Sequence, residues 1–206
     1  MGMIHNISEG FKNKYQMLAK RRPKAECNTV SAAMALIYTG HMLRPPEDVF
    51  PEDALMDLLD SESGREYLQS IVPGARYNPW NDSYCIAWAA NLFVGKKVCT
   101  VKKITFEDMI SHILDGGAVS IGGGFLNGKT YGHFVCVVGM EIDGEGNVTS
   151  VIVDDPYGNH NKGYVDHFDG NDIHIATKTF KKITFGRSKR KTMQLYAEQE
   201  NSYGKA

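Results

Sequence analysis

The sequence predicts an α+β fold in which N-terminal helices pack on an antiparallel sheet. Three observations carry this expectation. Apolar residues recur at helical spacing in the first part of the chain, β-branched and apolar runs of strand length follow from residue 118, and a turn sequence, DGEGN, joins two of those runs.

The elements follow in order. Residues 27–40, CNTVSAAMALIYTG, set Val30, Ala33, Met34, Ile37 and Tyr38 at helical spacing, and Gly40 supplies a stop. A buried helix is therefore expected to begin at or just after Cys27. A helical stretch from about 47 to 71 has Leu55, Leu58, Leu59, Tyr67, Leu68 and Ile71 as its apolar positions. VPGARYNPWNDSY, at 72–84, reads as loop because of its two prolines and glycine. Residues 85–94 and ITFEDMISHILDGG read as two further helices. AVSI (118–121), HFVCVVGME (133–141) and VTSVIV (148–153) read as strands, the last two joined as a hairpin by DGEGN. Residues 172–185 are expected to add one or two strands. Residues 1–26, ending in KRRPKAE, read as a polar, solvated lead-in. Residues 1–186 are taken as a single domain and 187–206 as a polar C-terminal tail.

Composition bounds the function. A chain of 206 residues with 42% hydrophobic and 23% charged residues is ordinary for one globular domain. The formal net charge of −1 gives no footprint for nucleic acid or an anionic membrane. No apolar run approaches the ~18 residues a membrane helix needs, and the N-terminus lacks a signal-peptide core. Cysteines stand at 27, 85, 99 and 136 with no CxxC pair, so free thiols in a reducing cytosol are expected rather than a zinc or redox site.

One arrangement carries chemistry. A thiol opening a helix meets unpaired N–H groups and the positive end of the helix dipole, which favour the thiolate. An imidazole can take its proton, and a third group then orients the ring. Cys27 opens a helix, His133 follows Gly132 at the head of a strand, and an aspartate pair, Asp154 and Asp155, ends the next strand. The hairpin brings His133 and the aspartates to one end of the sheet. Alternation along VIVDD puts Asp154 and Asp155 on opposite faces, so only one of them can point at His133. Gly122 to Gly124 and Gly132 would let a substrate chain approach the backbone.

The segments QMLAKRRPKAECNTVSAAMAL, GGGFLNGKTYGHFVCVVG and VDDPYGNHNKGY resemble the stand-alone, papain-like relatives of the double-glycine bacteriocin-leader peptidases, over roughly residues 15–165. The resemblance implies a papain-like fold and a cysteine peptidase or amidase that needs no cofactor. It implies Cys27 as nucleophile, His133 as general base, Asp155 (the aspartate before proline) as third member, and Gln16 as oxyanion donor. The chain departs from the pattern at Asn28, where many members have glycine, and at Met17 and Leu18, where many have Asp-Asn.

The implied substrate is a peptide, a protein or peptidoglycan, with no nucleic acid and no membrane as partner. A phage-type enzyme cutting peptidoglycan is the first reading, made in the cytoplasm and then virion-associated or released to the cell wall by lysis. A cytoplasmic processing protease and a catalytically idle binding module are the alternatives. Asn28 reads as structural. Trp80, Trp88 and Tyr157 are cleft candidates, with Trp88 better read as buried packing. His160, His167 and His174 stand seven apart, awkward for one metal site, and read as exposed loop histidines.

Overall fold

Pleated segments from the whole length of the chain assemble into one sheet in the computed structural model, which describes residues 2–8, 26–42, 51–126, 132–185 and 191–195. The strands are β1 (Met3–Asn6), β2 (Cys99–Lys103), β3 (Ala118–Gly123), β4 (His133–Ile142), β5 (Val148–Asp154), β6 (Ile173–Ala176) and β7 (Lys191–Leu195). Their order is β2-β7-β3-β4-β5-β6, with antiparallel pairing throughout. β4 is the longest. One of its edges takes β3 along residues 133–137 and β1 along residues 139–142, while the other takes β5. β1 comes so close that a Cβ on Gly139 would lie 2.1 Å from the His5 carbonyl oxygen, so only glycine fits there.

Helices cover both faces. α1 (Cys27–Tyr38), α2 (Pro51–Asp60), α3 (Glu62–Ile71) and α4 (Ser83–Val94) form the larger layer, and α5 (Phe106–Leu114) and α6 (Thr177–Thr184) the smaller. In the first core, Met34, Leu55, Leu68 and Ile86 meet Ala118, Cys136, Val138 and Ile152 of the sheet. In the second, Met109, Ile113 and Phe180 meet Val119, Val135, Val137, Val151 and Val153. The change of face between Val137 and Val138, or Ile152 and Val153, is the period-2 alternation of a strand covered on both sides. Every residue of α1 from Cys27 to Ile37 is buried, as a helix sandwiched between a sheet and other helices requires.

The α+β arrangement, with the long N-terminal helices on an antiparallel sheet, is the expected one. Several elements differ. The stretch read as one helix to residue 71 is two, because Ser61 takes an extended backbone and its hydroxyl oxygen accepts the Gly64 N–H at 3.1 Å, starting a new helix. Residues 172–185, expected to add one or two strands, give one, β6, and then the helix α6. The expected lead-in contains β1, and the expected polar tail from 187 contains β7, which lies between β2 and β3. β2 itself was not foreseen.

Candidate active site

The site is built where α1 begins and where β4 and β5 start and end. Three polar contacts fix α1. Near its start the Asn28 amide donates to the Trp80 carbonyl oxygen, in a 3-10 turn over Pro79–Asn81. Midway, the Ser31 hydroxyl donates to Ser120 Oγ of β3 at 2.8 Å. At its end, the Tyr38 hydroxyl donates to Asp154 Oδ2 at 2.6 Å. Cys27 is thus held at the head of a helix whose capping position, Glu26, supplies no side-chain cap. Cys27 is 8% exposed, against 0% for Cys85 and Cys136 and 2% for Cys99; all four cysteines are free.

His133 and Asp155 meet beside it. His133 shares a face of β4 with Val135 and Val137, and Asp155 follows Val151 and Val153 just beyond β5, so register and alternation bring the two side chains together. His133 Nε2 lies 2.6 Å from Asp155 Oδ1. His133 is also hydrogen-bonded to Cys27, which leaves ring Nδ1 for the sulfur. Burial works strongly against a charged imidazole here. The Asp155 carboxylate, its hydrogen bond and the bond to Cys27 together outweigh it and raise the His133 pKa to about 10. His133 therefore carries a proton at neutral pH.

Asp155 is wholly buried and well held. Its Oδ1 also accepts the Tyr157 N–H at 2.8 Å, and its Oδ2 accepts the Tyr164 hydroxyl at 2.9 Å. Phe125, Tyr157 and Tyr164 stand edge-on to the His133 ring at centroid distances of 6.2, 6.0 and 6.1 Å. They leave His133 only 1% exposed.

Asp154 faces the other way, as alternation requires. It accepts from Tyr38 and, at 2.8 Å, from the Asp172 N–H. Burial pushes its carboxyl up to about 7, against the lowering effect of those hydrogen bonds. The other thiols differ from Cys27 in setting: burial and nearby Asp82 raise Cys85 to about 12, and burial raises Cys99 and Cys136 well above the ordinary range.

The remaining candidates separate. Gln16 lies outside the described residues. Asn28 is buried and serves the helix start, its Oδ1 also accepting the Thr29 N–H at 2.8 Å. Trp88 stacks on Tyr67 at 5.2 Å and packs against the helical core, and Trp80 packs against the same core. Gly132 is exposed at φ 115, with open space around it. The three histidines are not all exposed loop residues. His160 and His167 are half-buried, with Nδ1 against the carbonyl oxygens of Phe125 and Tyr157, and His174 lies on β6 beside Glu141. Among the described residues, no group of three or more His, Cys, Asp or Glu is placed to hold a metal ion. Tyr164 was not foreseen; nothing in its local sequence shows that its hydroxyl reaches nine residues back to Asp155.

A buried thiol, imidazole and carboxylate are joined in that order where α1 meets the ends of β4 and β5, within an α+β papain-like fold. The chain belongs to the Peptidase C39-like family, whose model matches residues 9–192. Membership suggests cysteine peptidase activity. The structure is similar to the crystal structure of a candidate C39-like peptidase from Bacillus anthracis, with a TM-score of 0.58 at 15% identity, covering 95% of this chain and 98% of that one. That likeness supports the α+β papain-like fold. Comparison with curated proteins finds no match. No helix among the described residues is long and apolar enough to cross a membrane.

Proposed function

We propose that the protein is a cysteine peptidase or amidase in which Cys27, His133 and Asp155 form the catalytic triad. The observation that carries the reading is the buried chain of contacts from Cys27 through His133 to Asp155, with Nε2 and Oδ1 2.6 Å apart. At the moment of attack the proton shared by Cys27 and His133 lies on the imidazole. The sulfur attacks the amide carbonyl carbon, and the oxyanion is met by the Cys27 N–H and by Gln16, the donor the family resemblance implies. His133 passes its proton to the leaving nitrogen as the C–N bond breaks. Neutral His133 then takes a proton from water, whose oxygen attacks the thioester, and the C–S bond breaks to restore the thiolate and imidazolium. Asp155 keeps the ring aligned through both steps.

The peptide of peptidoglycan is the substrate class to test first, because the resemblance includes phage and bacterial relatives linked to cutting it. A protein substrate is the alternative. Zymography on purified cell walls and cleavage of labelled casein, each with wild type and Cys27→Ala, separate the two. Clearing by the wild type alone supports the first; cleavage of casein without clearing moves the substrate to protein.

Alkylation tests the site without a substrate. Iodoacetamide at pH 7 is expected to modify Cys27 at least about tenfold faster than the three thiols held protonated by burial. Equal rates at all four would sink the triad. Turnover is expected to fall as pH rises through about 10, where His133 gives up the proton the leaving nitrogen needs.

A further inference from the structure

Tyr164 occupies a backbone position that tyrosine rarely takes. It sits at φ 59, directly after Gly163 at φ 68, in the left-handed region that suits glycine and asparagine. Its N–H donates to the Asn159 carbonyl oxygen at 3.0 Å, closing the turn. That backbone turns the ring toward His133, which it meets edge-on, and against Tyr157, with ring centroids 5.5 Å apart. It also delivers the hydroxyl to Asp155 Oδ2 at 2.9 Å. The other oxygen, Oδ1, is held by His133 Nε2 at 2.6 Å and the Tyr157 N–H at 2.8 Å. The two oxygens of one buried carboxylate are thus tied to different parts of the chain. A carboxylate held through one oxygen can swing about its last bond; one held through both cannot. Backbone strain of this kind persists where the surroundings over-determine it, and it gathers at functional sites.

We propose that Tyr164 is a positioning residue, whose hydroxyl fixes the plane of the Asp155 carboxylate and, through it, the orientation of the His133 ring. The proposal rests on the reading of Cys27, His133 and Asp155 as the triad. Packing against His133 needs only a ring, so removing the hydroxyl alone separates positioning from packing.

Wild type, Tyr164→Phe and Asp155→Asn are compared by thermal melting, by the rate of Cys27 alkylation with iodoacetamide at pH 7, and by the downfield proton resonance of His133 Nε2–H. Tyr164→Phe is expected to melt with the wild type and to alkylate about tenfold more slowly, the worth of one hydrogen bond to a charged group. Its imidazole resonance is expected to broaden by exchange with water, as in Asp155→Asn. An unchanged rate and a sharp resonance in Tyr164→Phe, with fast alkylation in the wild type, overturn the proposal while leaving the triad intact. Slow alkylation of the wild type overturns the triad, and the proposal falls with it. Should Tyr164→Phe melt early, the same two signals are read well below its melting midpoint, where the ring is still packed and only the hydroxyl is missing.

Discussion

Two adjacent aspartates at the end of β5 have opposite tasks, and the pleat of the strand decides which is which. Asp155 is turned to His133, and Asp154 to Tyr38 of the central helix. Both are fully buried. For Asp154, burial raises the carboxyl from 3.8 to about 7, so the folded state prefers it protonated. Its stabilising effect is complete below about pH 4 and is lost as pH rises through about 7. Asp154→Asn removes that dependence while its amide oxygen can still accept the Asp172 N–H. Melting scans at pH 4 and pH 8 are expected to show the variant gaining on the wild type by a few kcal/mol between the two. Cys27 alkylation is expected to stay at the wild-type rate in Asp154→Asn. The sequence alone narrowed the partner of His133 to this pair, since alternation allows only one; the aspartate–proline pattern pointed to Asp155. What it could not show is the packing of Phe125, Tyr157 and Tyr164 around the imidazole, because these residues converge from two loops that carry no periodic signal.

At the level of elements, legibility followed the strength of local signals. α1, α4, α5 and the β4–β5 hairpin were readable, because each combines a clear period with a cap or a turn. Thr105 and Asp108 form a capping box at the start of α5, with bonds of 3.1 and 2.9 Å. Thr105→Ala is expected to cost about 1 kcal/mol in urea unfolding and to leave Cys27 alkylation unchanged, since α5 lies on the face of the sheet away from α1. The misread elements failed for definable reasons. The apolar period runs on through Ser61, hiding the break that its cap creates between α2 and α3. In α6, the threonines and isoleucine of TKTFKKIT suggest a strand, yet Phe180 and Thr184 are both buried, four residues apart, as a helix requires. β1, β2 and β7 are only four or five residues each and lie among polar neighbours. Their pairing partners, not their own composition, make them strands.

For the whole molecule, the sheet is the frame that holds the two halves of the site in register. α1 carries Cys27 and is bonded to β3 through Ser31 and Ser120 and to β5 through Tyr38 and Asp154. β4 and β5 carry or lead into His133 and Asp155. β7 bridges β2 to β3 by antiparallel pairing on both sides, Cys99–Lys103 with Lys191–Leu195 and Ala118–Ser120 with Leu195–Met193. A chain ending before Lys191 loses both sets of hydrogen bonds and leaves an edge of β3 bare. It is expected to unfold at much lower urea than the full chain, or to aggregate, and to lose the selective alkylation of Cys27.

The position of β7 also bears on when the surroundings of Cys27 come into being. Cys27 leaves the ribosome before His133 and Asp155, and the strand that joins β2 to β3 leaves later still. At about 5–20 residues per second, the thiol spends many seconds in a chain that has neither its imidazole nor its sheet. During that time it lacks every partner that it meets in the fold. Sequence order thus acts as a timer, and the contacts of Cys27 with His133 arrive only once the fold that buries them can close.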